Sequence, residues 1–233
     1  TMFVGLDVHK TTISVAVATG VRGGEVRSWG SIPNRADHVA KLVAKLATKA
    51  RHLHFCYEAA PCGYGLHRQL TGLGHACDVV APSLIPVKAG DRVKTDRRDA
   101  AMLAKLHRAG ELTSVWVPDT AHEAMRDLVR ARATAVRGLG KARQHLQGFL
   151  LRHGRIHPGK KGWTVAYRRW LKTLRFDHAA QQIVFQDYVH PVTDAEARVD
   201  RLTKQIADVV PAWSLAPVVE AIQAMRGVAF VVA

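Results

Sequence analysis

Phe3-Val4-Gly5-Leu6-Asp7-Val8-His9-Lys10 is an apolar run that closes on an acid, and it sets the reading of the chain. Residues 2–8 read as a strand. Residues 12–18 read as a second, because Ile13, Val15 and Val17 alternate with Ser14, Ala16 and Ala18 at period two. A turn over Gly20–Gly24 leads to a third strand at Glu25–Trp29, completing an antiparallel meander. Asn34 is placed to cap a helix running to about Ala50, with Val39, Leu42, Val43 and Leu46 as its apolar stripe. A strand over 52–58, a helix over Tyr64–Leu73 and a strand over 76–81, stopped by Pro82, follow. A further helix starts at Thr95 or Asp96 and ends near Gly110. The order β-β-β-α-β-α-β-α predicts an α/β unit, a mixed sheet with helices on its faces.

Past Pro118 the periodicity is helical only. One long helix is expected over about 120–153, locally weakened by Gly138, Gly140 and Gly148. A basic loop with Gly, Pro and His spans Gly154–Gly162. Helices are then expected at about 163–174, 178–189 and 194–210, with Val199, Leu202, Ile206 and Val209 at helical spacing in the last, as in a coiled-coil-like hairpin. A final helix near 214–225 leads to Gly227. This gives a first domain over 1–118, an all-helical segment over 119–226 and the start of another domain at 227–233. The chain stops inside the apolar run Gly227–Ala233, so a following domain is expected, and Thr1 before Met2 reads as an added residue.

The 233 residues carry a formal net charge of +15, which favours polyanion partners. The charge is concentrated: residues 119–175 hold 14 Lys and Arg against 3 Asp and Glu, while residues 176–233 hold 4 against 7. Nucleic acid is the expected partner. A membrane is not, because there is no long apolar span or basic amphipathic anchor. Cys56, Cys62 and Cys77 form no C-x-x-C pair, and no signal peptide is present; a reducing, cytoplasmic, bacterial setting fits.

Four carboxylates carry the chemistry. Asp7 closes the first strand and Glu58 the fourth, where Ala59-Ala60-Pro61 makes a tight exit at the sheet end that holds ligands in open α/β folds. Asp96 and Asp99 open a helix. Their plain reading is capping, since acids there suit the helix dipole. Yet positions 96, 99, 103 and 106 form one stripe, and Leu103 and Leu106 must face the sheet, so both acids point towards it as well. Four acids brought together repel one another unless a hard cation such as Mg²⁺ or Mn²⁺ lies between them. Such an ion beside nucleic acid serves phosphodiester cleavage or transfer.

The expected nucleic-acid contacts are Lys10, Lys94, Arg97 and Arg98 near the acids. Along the basic helix, which also carries Arg132, and the segment after it they are Arg126, Arg130, Arg137, Lys141, Arg143, Arg152, Lys160, Lys161, Arg168 and Arg169. Trp163, Tyr167 and Trp170 interleave with these cations, as base stacking would require. The histidines, His9 among them, lack metal-ligand spacing and read as surface or satisfied groups. Ser83 and Ser214 have no partner that marks a nucleophile. Two other classes stay open: an actin-like ATPase or sugar kinase, disfavoured because Val8-His9-Lys10 replaces a glycine-rich phosphate turn, and a non-catalytic RNA- or DNA-binding scaffold.

The Phe3–Lys10 string, Tyr57-Glu58-Ala59 with Gly63, and Lys94-Thr95-Asp96-Arg97-Arg98-Asp99-Ala100 together resemble the DEDD-type insertion-sequence transposases, which are related to the Piv-type invertases. The resemblance also covers the basic helical segment. It implies a ribonuclease-H-like (RuvC-like) fold and a metal-binding tetrad of Asp7, Glu58, Asp96 and Asp99. It implies a recombinase guided by a structured bridge RNA that pairs with donor and target double-stranded DNA, working as a dimer or tetramer. It further implies a serine nucleophile in a C-terminal domain beyond this sequence. A junction resolvase is the nearest enzymatic alternative.

Overall fold

The computed structural model describes residues 1–21, 23–86, 95–159 and 162–230. Lys94, Lys160 and Lys161 fall outside them. The chain divides into two compact units, Thr1–Val117 and Pro118–Ala233.

In the first unit, β1 (Met2–Val8), β2 (Thr12–Thr19), β3 (Val26–Pro33), β4 (Leu53–Glu58) and β5 (Ala76–Val80) form one sheet in the order β3-β2-β1-β4-β5. The first three strands are the expected antiparallel meander, and β1, β4 and β5 run parallel. This is the mixed sheet of a ribonuclease-H-like, RuvC-like α/β fold. Alternation along β1 sorts its side chains. Val4 and Leu6 go to a buried face shared with Ile13, Val15, Phe55 and Tyr57, which α1 (Ala36–Ala47) covers through Val39, Leu42, Val43 and Leu46. Gly5 and Asp7 therefore lie on the opposite face, with Cys56 and Glu58 of β4. That face belongs to α3 (Asp96–Ala109), which packs Ala100, Leu103 and Ala104 against Ala16, Ala18 and Cys56. α2 (Gly65–Gly72) adds Leu70 to the core under β4 and β5.

Several boundaries differ from the sequence reading. β3 runs to Pro33, well past Trp29, because its pairing with β2 continues through Ile32 and Ser31 after an irregularity at Val15/Ala16. Asn34 does not cap α1: Arg35 holds that position without a side-chain cap, and the Asn34 amide instead donates to the His9 carbonyl at 2.7 Å. α3 agrees with expectation: the Thr95 hydroxyl accepts from Arg98 N, and Gly110 closes the helix at φ 72°, a left-handed position that glycine suits.

The second unit contains α4 (Thr120–Arg152), α5 (Val165–Thr173), α6 (Ala179–Val209) and α7 (Ala216–Gln223). α4 runs through Gly138, Gly140 and Gly148 without a break; all three are exposed. α6 replaces the two helices expected at 178–189 and 194–210. Pro191 lies inside it, on an exposed position. An interior proline costs about 3 kcal/mol. Burial of Phe185, Val192 and Ile206, spaced by multiples of seven along the same helix, contributes about 1.5–3 kcal/mol each and outweighs it. α4 and α6 pack antiparallel: Arg132 meets Thr203, Arg143 meets Glu196 and Phe149 meets Tyr188. One core joins Leu139, Leu146, Phe149 and Leu150 to Tyr167, Leu171, Phe176 and Phe185, and a second joins Met125 to Ile206, Val210 and Val219. Among the described residues no helix is long and apolar enough to cross a membrane.

Candidate metal centre and nucleic-acid interface

Asp7 and Asp96 come from distant parts of the chain and meet because α3 presses onto β1. Gly5 has no side chain, so the helix backbone at Ala100 and Ala104 sits directly on the strand, and the first turn of α3 is carried beside the end of β1. His9 joins them. Its Nε2 lies 3.2 Å from Asp7 Oδ2 and 3.6 Å from Asp96 Oδ2. One ligand atom from each of Asp7, His9 and Asp96 falls within 4.8 Å of the other two, a spacing at which three groups can share a cation.

Burial lifts the Asp7 carboxyl above the usual aspartate range. The charge and hydrogen bond of His9 oppose that rise, and the negative charges of Asp96 and then Asp99 reinforce it. Asp99 thus stands near enough to act on Asp7, although it is not part of the tighter group. Glu58 is not part of it either. The parallel register of β1 and β4 ends at Leu6 beside Tyr57, and Glu58, the last residue of β4, pairs with Val80 of β5. The loop after Glu58 is tied down by Tyr57 Oη donating to the Gly63 carbonyl at 3.0 Å, with Gly63 at φ 68°. Asp7, Asp96, Asp99 and Glu58 are oxygen donors of the kind hard divalent cations take, and the close spacing of Asp7 and Asp96 fits one.

His9 was not legible as a site residue from its spacing to other histidines. The usable signal was Asp7-x-His9: at i and i+2 on an extended segment, both side chains point to one face. The serine reading changes as well. Ser214 Oγ lies 3.5 Å from His122 Nε2, and His122 Nδ1 lies 2.7 Å from Asp119 Oδ1. That is the outer limit of a hydrogen bond, on an exposed surface.

In the first unit Lys10, Arg97 and Arg98 are exposed. In the second, α4 sorts its cations by face. Arg126, Arg130, Arg137, Lys141 and Arg152 fall within roughly 80° of arc, along about 39 Å of helix. Arg132 and Arg143 lie on the opposite side, towards α6. Arg132 Nε donates to Thr203 Oγ1 at 2.8 Å. Arg143 donates to Glu196 Oε1 at 2.7 Å, and its guanidinium sits 4.7 Å from the centre of the Trp163 ring. Arg168 is also bonded to Glu196 through both terminal nitrogens. Arg169 is exposed. Of the aromatic residues Tyr167 is core, 5% exposed, and half-buried Trp163 and Trp170 pack around it with His157, ring centres 5.1–5.3 Å apart. An internal face of α4 and an internal aromatic cluster explain why the run of cations and rings is not all available to a ligand.

A family model described as a transposase, of the DEDD type and the IS110 group, matches residues 4–154. The chain is 53% identical over 231 residues to the "Putative transposase y4qE" of Sinorhizobium fredii (strain NBRC 101917 / NGR234), covering 99% of this chain and 56% of that protein. It is 35% identical over 234 residues to the transposase for insertion sequence element IS1533 of Leptospira borgpetersenii, covering 100% of this chain and 67% of that protein. The chain thus spans between about half and two thirds of the length of these relatives.

Proposed function

The chain belongs to the DEDD transposases of the IS110 insertion-sequence group, and from that premise we propose that it forms the cation-dependent, nucleic-acid-holding part of a recombinase guided by an RNA that the element itself encodes. The observation that carries this reading is the meeting of Asp7 and Asp96 across β1 and α3, with Asp99 close by and Glu58 at the neighbouring strand end. These four carboxylates would hold Mg²⁺ or Mn²⁺. When bound, the ion supplies charge neutralisation at a scissile phosphate and polarises the attacking or leaving oxygen.

The protein's own groups do the rest. The carboxylates fix where the phosphate must sit. Arg97 and Arg98, on the exposed first turn of α3, together with Lys10 and Lys94, hold the backbone on either side of it without reading sequence. The α4 stripe of exposed Arg130, Arg137, Lys141 and Arg152, with half-buried Arg126 at one end, follows a second length of phosphate backbone. Arg169 extends the basic surface, and Lys160 and Lys161 add their charge to the same nucleic-acid-binding segment of the sequence. Sequence choice is delegated to base pairing between guide RNA and the donor and target DNA. The serine nucleophile comes from a domain outside this sequence. The paired helices α4 and α6, in coiled-coil fashion, carry exposed Val129 and Val136 for assembly into a dimer or tetramer. The site of action is the bacterial cytoplasm, where the element's DNA and RNA are found.

The test is Asp7→Asn in the full-length protein. It should abolish divalent-cation-dependent strand exchange while leaving RNA and DNA binding intact. Strand exchange at the wild-type rate would overturn the carboxylate site.

A further inference from the structure

The carboxylates account for a hard cation, but not for the imidazole that lies between two of them. Resting on the metal-site reading above, we propose that His9 is a nitrogen ligand of that cation, and that it makes the site bind Mn²⁺-type ions more tightly than Mg²⁺.

The geometry is the first support. Two donors bound to one ion at about 2.0–2.2 Å, and set at right or tetrahedral angles, lie roughly 3.0–3.5 Å apart. His9 Nε2 is 3.2 Å from Asp7 Oδ2 and 3.6 Å from Asp96 Oδ2, so it stands at about one coordination edge from both acids at once. A histidine that only oriented Asp7 would have no need to approach Asp96.

The second support is how the ring is delivered. His9 follows β1 in a turn whose backbone is fixed on both sides. Its amide donates to the Thr12 carbonyl at 2.9 Å, and its carbonyl accepts from Asn34 Nδ2 at 2.7 Å. Asn34 is in turn tied to the same turn, its own amide donating to the Thr11 carbonyl at 2.9 Å. Asn34 thus gives up the helix cap that its sequence position suggests and holds the His9 turn instead. The His9 side chain is 51% exposed, which leaves the outer side of the cluster open to water or a phosphate oxygen.

The third support is ligand chemistry. Mg²⁺ takes oxygen donors almost exclusively and parts reluctantly with its water. A neutral imidazole nitrogen adds little for Mg²⁺ but binds first-row transition ions well. One nitrogen among carboxylates therefore shifts the balance towards Mn²⁺ without excluding Mg²⁺.

Pulsed electron paramagnetic resonance of the chain titrated with Mn²⁺ alone tests this. The expected result is a ¹⁴N modulation on the bound Mn²⁺ that changes to the ¹⁵N pattern in protein grown with ¹⁵N-histidine. His9→Ala and His9→Gln should lose the modulation and bind Mn²⁺ about tenfold or more weakly. Their Mg²⁺ affinity, measured by competition, should change by less than about twofold. Saturable Mn²⁺ binding with no nitrogen coupling would overturn the proposal and leave the carboxylate site standing. Absence of saturable binding in the wild type would overturn both. Should the variants fail to fold, the ¹⁵N measurement on the wild type still decides whether a histidine is a ligand.

Discussion

A β-carbon on Gly5 would fall onto the carbonyl oxygen of Ala100 and the amide nitrogen of Ala104, with Leu103 Cβ only 3.0 Å away. The obstructing atoms are helix backbone, which cannot swing aside. A strand glycine ordinarily weakens a sheet by roughly 0.5–1 kcal/mol relative to alanine. Here that cost gives β1 and α3 their contact, and the contact puts Asp96 beside Asp7.

Gly5→Ala should therefore act twice. It should destabilise the first unit by about 1–3 kcal/mol or more through overpacking, where the general strand trend points the other way. It should also move the first turn of α3 off the end of β1 and weaken cation binding at Asp7 and Asp96. Calorimetric unfolding together with Mn²⁺ titration checks both effects. A variant at least as stable as the wild type with unchanged Mn²⁺ affinity would mean that the close approach does not place the site.

The strand and helix pattern of the first unit was open to sequence reading because it rests on local periodicity: Ile13, Val15 and Val17 announce β2, and Thr95 with Gly110 brackets α3. Asp7 and Glu58 were visible for the same reason, as acids that end apolar runs. The parts that were not legible depend on contacts distant in sequence. Nothing near His9 shows that Asp96 will approach it from almost ninety positions away. The gap expected between helices at 178–189 and 194–210 contains Pro191, and burial of Phe185 and Val192 carries one helix straight through it. The arginines of α4 looked equivalent, and only the packing of α6 separates Arg132 and Arg143, turned inward, from the exposed stripe.

Glu196 is the acid that receives Arg143 of α4 and Arg168 of α5, and it should govern the acid stability of the second unit. Burial alone would raise its carboxyl. The hydrogen bonds of Arg168 and Arg143, followed by their charges, outweigh burial and hold the pKa below the usual glutamate value. The folded state thus favours the ionised form, and the stabilisation is present above the unfolded pKa, near 4.5. It is lost as pH falls from there through the lower folded value. At neutral pH, Glu196→Gln should cost about 1–2 kcal/mol, the hydrogen-bond and charge contribution after discounting the partly exposed Arg168. The same substitution should flatten the loss of stability below pH 5. Denaturant unfolding of both proteins at pH 7 and pH 4 measures this, and equal pH slopes would rule the clamp out.

His107 should produce pH dependence in a higher range, with a different cause. It is 9% exposed at the back of α3, between the rings of Phe3 and His54. Burial lowers its pKa below 6.5; the charge and hydrogen bond of Asp78, 3.1 Å away, pull it back part of the way, and His54 adds a small push down. Above about pH 6.5 the ring is neutral in both folded and unfolded chains and contributes no slope. As pH falls through 6.5 the unfolded chain takes up the proton first, so stability declines until the lower folded pKa is reached. His67 contributes with the same sign, since burial and then Arg68 lower it too. His107→Gln should therefore shrink, without abolishing, the fall in stability between pH 7.5 and pH 5.5. Urea unfolding at these two values, for wild type, His107→Gln and the double variant with His67→Gln, gives the three slopes. They should decrease in that order, and identical slopes would show that neither ring is held neutral by the fold.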